Sequence, residues 1–135
     1  MKVLVCISHV PDTTSKINFT NDNSEFDKNG VQFVINPYDE FGLTRAMWIK
    51  EKNGGTVTVV NVGGAETEPT LRKALAIGAD DAIRIDAHAK DGFFVASQIA
   101  ELAKENQYDI IIAGRESIDY NGGQVPGMIA ALLNQ

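Results

Sequence analysis

Short apolar runs alternate with segments of helical spacing along this chain, and that alternation limits the fold more than any other feature. The runs are rich in β-branched residues, and we predict strands over residues 2–7, 56–62, 82–85 and 109–113. The segments between and after them predict helices near residues 39–52, 67–77, 92–106 and 124–133. Strands without polar alternation are typical of a parallel sheet covered on both faces. The sequence therefore predicts an α/β fold with a doubly wound, mainly parallel sheet.

Three of the predicted helices carry an apolar stripe. The stripes consist of Leu71, Ala74, Leu75 and Gly78; of Val95, Ile99, Leu102 and Ala103; and of Val125, Met128, Ile129 and Leu132. Such spacing buries one face of a helix, so we expect core packing and no ligand role for these side chains. Gly78 also stands at the end of its helix, where glycine supplies the positive φ of a C-terminal cap.

Length, charge and cysteine content narrow the class of protein. The 135 residues, 44% of them hydrophobic, predict a single domain over residues 1–135. The formal net charge of −6 and the pI near 4.8 argue against a nucleic acid or an anionic membrane as partner. The one cysteine, Cys6, lies in an apolar run, as is typical of a reducing compartment. With no signal-peptide pattern and no membrane-spanning run in the sequence, we expect a cytoplasmic protein.

Residues 8–35 interrupt the alternation. Pro11-Asp12 and several asparagines break up short apolar pieces, and Asn29-Gly30 favours a tight turn. We therefore predict a small hairpin or another ordered excursion in this stretch rather than a linker.

A polar, glycine-containing loop follows the last predicted strand and leads into the last predicted helix. It runs from Gly114 to Gln124 and includes Gly122-Gly123. The first N–H groups of a helix lack partners within the helix and lie at the positive end of its dipole, and glycines let the backbone approach a phosphate closely. The loop therefore predicts an anion site, and nucleotide binding is the first hypothesis.

Further segments converge on the same edge of the predicted sheet. Open α/β sheets bind ligands at the carboxyl ends of their strands, and residues 6–10 and 62–65 lie at two such ends. Residues 36–39 precede the first helix and can cross the same crevice.

Some of these features also have purely structural explanations, which remain open. Asn36 and Pro37 suit the cap and the first position of a helix. The pair Gly63-Gly64 suits a tight turn between a strand and a helix. Asp119 can close a turn, or it can accept hydrogen bonds from ribose hydroxyls, as acids do in dinucleotide folds.

Catalytic and metal-binding motifs are sparse. His9 and His88 lie far apart without a metal-binding spacing, and Ser117 lacks the flanking glycines of a nucleophile elbow. The sequence also contains neither G-x-x-x-x-G-K-S/T nor a G-x-G-x-x-G after its first strand. We therefore expect no catalytic residue and no metal here, and a nucleotide site of a different kind.

Four segments together resemble the β subunit of electron transfer flavoproteins. They are residues 3–12 (VLVCISHVPD), 36–40 (NPYDE), 71–80 (LRKALAIGAD) and 114–119 (GRESID), in order through essentially the whole chain. The resemblance implies a Rossmann-like fold of the adenine-nucleotide-binding type. It also implies that the subunit holds a buried, structural AMP.

The resemblance implies partners as well. A β subunit of this family pairs with an α subunit that holds most of the FAD contacts. The heterodimer carries electrons from acyl-CoA and related dehydrogenases to a membrane quinone reductase, and the β subunit performs no bond chemistry of its own. Because family members are typically much longer, the resemblance further implies that this chain is an N-terminal part of a longer subunit.

Carried onto this sequence, the resemblance gives a set of expected nucleotide-binding residues. They are Cys6, Asn36, Pro37, Tyr38, Asp39, Val62, Gly114, Ile118, Asp119, Asn121, Gly122, Gly123, Gln124 and Val125. Many relatives have an acid followed by Thr or Cys where this chain has Asn121 and Gly122. Without a hydroxyl at that place, phosphate contacts fall to the backbone amides.

Two alternatives stay open. Some members of the family hold a second FAD instead of AMP and perform electron bifurcation, and the segment Asn36-Pro37-Tyr38-Asp39 occurs in both kinds. The other alternative is a stand-alone ATP-binding, stress-type protein of similar fold. That class usually carries a G-x-x-G stretch with a later Gly-Ser or Gly-Thr, whereas Gly114 here is followed only by Gly122-Gly123-Gln124.

Overall fold

A computed structural model describes residues 1–135, apart from the side chain of residue 21. The elements in chain order are β1 (Lys2–Cys6), β2 (His9–Pro11), β3 (Phe33–Ile35), α1 (Pro37–Asn53), β4 (Thr56–Val62), α2 (Glu68–Ile77), β5 (Asp81–Ile85), α3 (Gly92–Asn106), β6 (Ile110–Ala113) and α4 (Val125–Leu132). A single turn of 3-10 helix, Ala65–Thr67, precedes α2.

The main sheet has four strands in the order β5-β4-β1-β6, and all three pairings are parallel. Each of these strands is one of the four predicted from apolar runs, and its bounds differ from the prediction by at most one residue. Helices connect the strands, as a parallel sheet requires. The predicted α/β fold with a doubly wound, Rossmann-like sheet is therefore confirmed.

Helices cover the sheet on both faces. On one face, α1 and α2 contribute Leu43, Ala46, Leu71 and Ala74 to a cluster with alternate residues of β1 and β4. On the other face, α3 and α4 pack against the remaining residues of the same strands, among them Leu4 and Val60. Because β1 and β4 are buried on both sides, they carry apolar residues at almost every position. No helix of the described chain is long and apolar enough to cross a bilayer.

One apolar residue of a predicted stripe is not in the core. Leu75 is 40% exposed, whereas Leu71 and Ala74 of the same stripe are buried. The contacts of α2 with the main sheet are chiefly to β5, the outermost strand. Only a narrow face of the helix is therefore buried against the sheet. The predicted glycine cap is confirmed, since Gly78 has φ +135° and its N–H donates to the carbonyls of Ala74 and Leu75.

Residues 8–35 form the predicted ordered excursion. The strands β2 and β3 pair antiparallel, with Val10 opposite Val34. The Asn29-Gly30 turn is present, with φ +71° at Gly30 and a 3.2 Å hydrogen bond from the Val31 N–H to the Lys28 carbonyl. It does not join the two strands directly, because a long loop lies between them.

Two leucines allow a matched test of the core. Leu43 is fully buried between α1 and the sheet, and its replacement by alanine leaves a cavity. We expect Leu43→Ala to lower the free energy of unfolding by about 2–5 kcal/mol. The helical but exposed Leu75→Ala should change it by less than about 1 kcal/mol. Urea denaturation measures both, and equal losses would contradict this assignment of the core.

Candidate functional site

Asn36 joins the start of α1 to the loop after β6. Its side chain is fully buried, and its Nδ2 donates to the Glu116 carbonyl at 2.8 Å. Its Oδ1 accepts from the Ile118 N–H at 3.1 Å. Asn36 does stand at the cap position, followed by Pro37 in the first turn, but its side chain makes no capping hydrogen bond. The structure therefore gives this side chain a different task, which is to hold the loop in place.

Asp39 makes a second connection, one turn further along α1. Its Oδ2 accepts from the Ser8 N–H and its Oδ1 from the Gly114 N–H, each at 2.9 Å. Ser8 follows β1 and Gly114 follows β6, so one carboxylate binds the carboxyl ends of two neighbouring strands. Burial raises the pKa of the Asp39 carboxyl above its ordinary 3.8, while the hydrogen bonds from Ser8, Asn36 and Gly114 act in the opposite direction.

Gly114 is required by the closeness of α1. A Cβ atom added at this position would overlap Asp39 Oδ1 and would lie 2.8 Å from the Tyr38 carbonyl carbon. Contacts below 3.0 Å are not found for real Cβ atoms, so α1 and the loop could not keep their places. The loop can pass this close to the helix only because residue 114 has no side chain.

Beyond Ile118 the loop is exposed and turns sharply towards α4. Asp119 Oδ1 accepts from the N–H of the next residue, Tyr120, at 2.9 Å, which is the turn-closing role. Positive φ angles occur at Asn121 (51°) and Gly123 (61°). Among the described residues, nothing accepts a hydrogen bond from the N–H groups of Gly122 and Gly123. These two amides therefore stand next to the start of α4 and are free for a ligand.

The carboxyl edge of the sheet also has an apolar wall. Cys6, Val62 and Val125 belong to one cluster, on the face of the sheet that α3 and α4 cover. Burial, with a smaller effect of the Asp39 carboxylate, raises the pKa of the Cys6 thiol to about 12. Cys6 is therefore a neutral packing group and not a nucleophile.

The predicted site residues fall into four sets. Asn36, Asp39, Gly114 and Ile118 are joined by hydrogen bonds, while Cys6, Val62 and Val125 share the apolar wall. Pro37 and Tyr38 form the first turn of α1, and Asp119, Asn121, Gly122, Gly123 and Gln124 are exposed residues between β6 and α4. Contact with a nucleotide stays a prediction for every one of them.

Sequence reasoning missed Glu116. Its Oε2 would lie 3.9 Å from a Cβ atom added at Gly123, so a carboxylate lies beside the free amides of the loop. The Arg115 guanidinium lies 3.7 Å from the other oxygen, Oε1, and partly offsets this negative charge. Only the folding of the loop brings residue 116 towards residue 123, so no motif indicates the contact.

Sequence reasoning also missed Asn61, a buried polar residue near the end of β4. Its Nδ2 donates to the Ile7 carbonyl at 2.9 Å, which ties the end of β1 to β4. Within the described part of the chain, its Oδ1 has no hydrogen-bond partner. The sequence did hold a signal, since Asn61 is a polar residue inside the apolar run of residues 57–62.

The histidine next to the crevice has a structural environment. The His9 ring stacks on Phe33 with a centroid distance of 4.3 Å, and its Nδ1 lies 2.7 Å from Thr70 Oγ1. Burial lowers the pKa of His9 below its ordinary 6.5. Among the described residues, no three side chains of His, Cys, Asp or Glu are grouped to hold a metal ion.

A parallel four-stranded sheet with helices on both faces, and a loop after β6 that leads into a helix, define a doubly wound α/β protein of Rossmann-like type. Residues 24–135 match the family model described as the electron transfer flavoprotein domain. The chain therefore belongs to the electron transfer flavoprotein domain family.

Curated relatives agree with this family. The electron transfer flavoprotein subunit beta of Bacillus subtilis is 36% identical, over 99% of this chain and 53% of its own length. The subunit beta of Thermoanaerobacterium thermosaccharolyticum is 37% identical, over 99% of this chain and 52% of its own length. Protein FixA of Azotobacter vinelandii is 36% identical, over 99% of this chain and 50% of its own length. The resemblance to β subunits is thus confirmed, and the chain spans about half the length of these relatives.

Two glycines of the loop allow a test of the contact between α1 and residue 114. Gly114→Ala should lower the free energy of unfolding by about 1–3 kcal/mol, the usual cost of forcing extra volume into a packed site. Gly122→Ala should change it by less than about 0.5 kcal/mol, because no atom lies within 4 Å of the added Cβ. Thermal denaturation of both variants gives the comparison, and a neutral Gly114→Ala would contradict the close approach.

The raised pKa of Asp39 predicts how stability depends on pH. In Asp39→Asn the amide NH₂ faces a backbone N–H. We therefore expect the free energy of unfolding to fall by about 1–3 kcal/mol at neutral pH. Because the folded chain binds the Asp39 proton more tightly than the unfolded chain, the stability difference between wild type and Asp39→Asn should be greatest at all pH values below the ordinary pKa of 3.8. It should shrink as the pH rises through the folded pKa.

Asp12 supplies a control of opposite sign. Hydrogen bonds from Thr14 lower the pKa of the Asp12 carboxyl, so the difference between wild type and Asp12→Asn should shrink as the pH falls. Urea denaturation across a pH series measures both differences. A difference for Asp39→Asn that shrinks on acidification would show that burial does not dominate at this carboxyl.

Proposed function

We propose that this chain is the nucleotide-binding part of an electron transfer flavoprotein β subunit, and that its crevice holds a structural AMP. The observation that carries the proposal is the fixed loop after β6. Asn36 and Asp39 hold its first part by side-chain hydrogen bonds, and the amides of Gly122 and Gly123 are free of protein partners. The held part of the loop fixes where the segment that carries these donors leaves the sheet.

Phosphate is the ligand group that best suits those donors. The free amides lie just before Gln124, the N-cap of α4, and the positive dipole end of that helix favours an anion. Pro126 lies in the first turn of α4 and has no N–H, so the glycine amides carry more of the binding than in an ordinary helix start. The Glu116 carboxylate opposes a phosphate at this place, and Arg115 reduces that opposition.

The rest of an AMP molecule would meet two kinds of surface. Asp119 is exposed, and its carboxylate can accept hydrogen bonds from ribose hydroxyls in addition to closing the turn. The apolar wall of Cys6, Val62 and Val125 can cover one side of an adenine ring. Both contacts are predicted from the sequence, and each is now assigned to particular side chains of the fold.

The wider function follows from the family. We propose that residues 1–135 form one nucleotide-binding unit of a cytoplasmic β subunit and pair with an α subunit that carries FAD. The heterodimer would take electrons from acyl-CoA and related dehydrogenases and pass them to a membrane quinone reductase. In this role the chain makes and breaks no covalent bonds, and its nucleotide stabilises the fold.

The nucleotide can be identified directly. The β subunit is purified together with its α partner and denatured, and the released nucleotides are measured by mass and absorbance. One AMP and one FAD per heterodimer are the expected result. Two FAD and no AMP would replace the proposal by electron bifurcation. If neither nucleotide were released, the proposed site would be overturned, while the family assignment would stay in place.

Gly123→Val tests the loop. A β-branched residue is strained at φ +61°, so the loop should lose its shape and AMP affinity should fall about tenfold or more. Gly30→Val is the matched control, because Gly30 has φ +71° and no atom lies within 4 Å of an added Cβ. It should carry the same backbone strain and retain AMP. Calorimetric titration with AMP distinguishes them, and equal affinity in both variants would remove the loop from the site.

A further inference from the structure

Glu116 lies beside the free amides of the loop, and its carboxylate is largely buried. The side chain is only 15% exposed. The backbone carbonyl of Glu116 accepts from Asn36 Nδ2 at 2.8 Å, so the residue is held in position. No described group donates a hydrogen bond to the carboxylate, and its one ion pair is with Arg115 at 3.7 Å. A carboxylate removed from water without donors is costly, so its presence needs an explanation.

The carboxylate makes the loop a poorer site for any anion. Glu116 Oε2 lies 3.9 Å from a Cβ atom added at Gly123, which places a negative charge next to the amides of Gly122 and Gly123. Like charges at short range repel strongly where water is partly excluded. Because this repulsion grows with the charge of the ligand, it weakens the binding of a highly charged phosphate group more than that of a monophosphate.

Adenine nucleotides differ chiefly in the charge of their phosphate groups. The phosphate of AMP carries about two negative charges near neutral pH, and ADP and ATP carry roughly one and two more. In FAD each phosphate is esterified and bridged to the other, so its charge does not exceed that of AMP. All these molecules share the adenosine part, so contacts with the ring and the ribose do not distinguish AMP from ADP or ATP. A charge beside the phosphate site can.

We propose that Glu116 is a specificity-determining residue of the nucleotide site and that its carboxylate excludes ADP and ATP. This inference rests on the proposed function, because it gives a role to a residue of the same site. A residue that lowers the affinity for the correct ligand serves specificity when it lowers the affinity for a competitor more. The exclusion acts through charge, so it applies whether the crevice holds AMP or FAD, and it disfavours the ATP-binding alternative.

Arg115 adjusts the strength of this exclusion. Its guanidinium lies 3.7 Å from Glu116 Oε1, but the side chain is 77% exposed, so water screens its charge. The cation therefore offsets the largely buried carboxylate only in part. The pair repels a phosphate less than Glu116 alone would, which leaves room for a monophosphate. Removal of the carboxylate and removal of the guanidinium should consequently change the selectivity of the site in opposite directions.

A competition experiment tests the proposal. The β subunit and its α partner are unfolded, freed of nucleotide and refolded with FAD and equal concentrations of AMP, ADP and ATP, and the retained nucleotides are measured by mass. The competitor ratio is the retained ADP and ATP divided by the retained AMP, or by a second FAD if that takes its place. It should be low in the wild type. Glu116→Gln keeps the size of the side chain without its charge, so the ratio should rise about tenfold or more.

Two further variants and a salt series supply the controls. Arg115→Gln removes the offsetting cation, so its competitor ratio should fall below that of the wild type. Glu51→Gln removes the same charge as Glu116→Gln from an exposed position about 21 Å along α1 from Pro37, and it should leave the ratio unchanged. Salt screens charge repulsion, so higher salt should raise the ratio in the wild type but not in Glu116→Gln.

The outcomes separate this inference from the proposed function. A competitor ratio that is the same in wild type and Glu116→Gln, with AMP retained by both, would overturn the exclusion alone. That result would follow if Glu116 bound a ribose hydroxyl, or if lack of space kept ATP out. A wild-type heterodimer that retains ATP as readily as AMP would overturn the exclusion as well. One that retains neither AMP nor a second FAD would overturn the proposed function together with this inference.

Discussion

A buried carboxylate with two backbone N–H partners joins the start of α1 to the carboxyl edge of the sheet. Asp39 is 5% exposed, and its two oxygens accept from Ser8 and Gly114, where β1 and β6 give way to loops. Without Asp39, the N–H groups at these two strand ends would be buried without partners, at a cost of about 1–3 kcal/mol each. One side chain satisfies both N–H groups and ties the first turn of α1 to the edge of the sheet, although burial of the carboxylate still raises its pKa.

The two polar anchors of α1 have different chemistry because their targets differ. Asp39 meets two donors, Ser8 N–H and Gly114 N–H, and a carboxylate supplies two acceptors. Asn36 meets one carbonyl and one N–H, and an amide offers a donor and an acceptor together, whereas a carboxylate offers only acceptors. The two residues are therefore not interchangeable, although they are similar in size and lie one helical turn apart.

Much of the fold could be predicted from the sequence, and less of the site. Strands such as β1 and β4 are visible because burial on both faces demands apolar residues at almost every position. The crevice was predicted because strand ends meet at one edge. Residues 36–39 were placed there because they precede the first helix, and the family resemblance added them to the expected nucleotide-binding residues. The hydrogen-bond partners of Asn36 and Asp39 could not be predicted, because these lie 31 to 82 residues away along the chain. Leu75 was predicted wrongly because spacing does not reveal that α2 lies largely over the outermost strand.

The separation of these partners also has a consequence for how the molecule forms. The links from Asp39 to Gly114 and from Asn36 to Ile118 span 75 and 82 residues. During synthesis, therefore, α1 is complete long before the groups that its anchors bind have left the ribosome. Until then Asp39 has only its Ser8 partner and the Asn36 side chain has neither of its two, and contacts so distant in sequence form slowly. The growing chain must keep these two side chains hydrated, so the start of α1 can dock firmly only after β6 has joined the sheet.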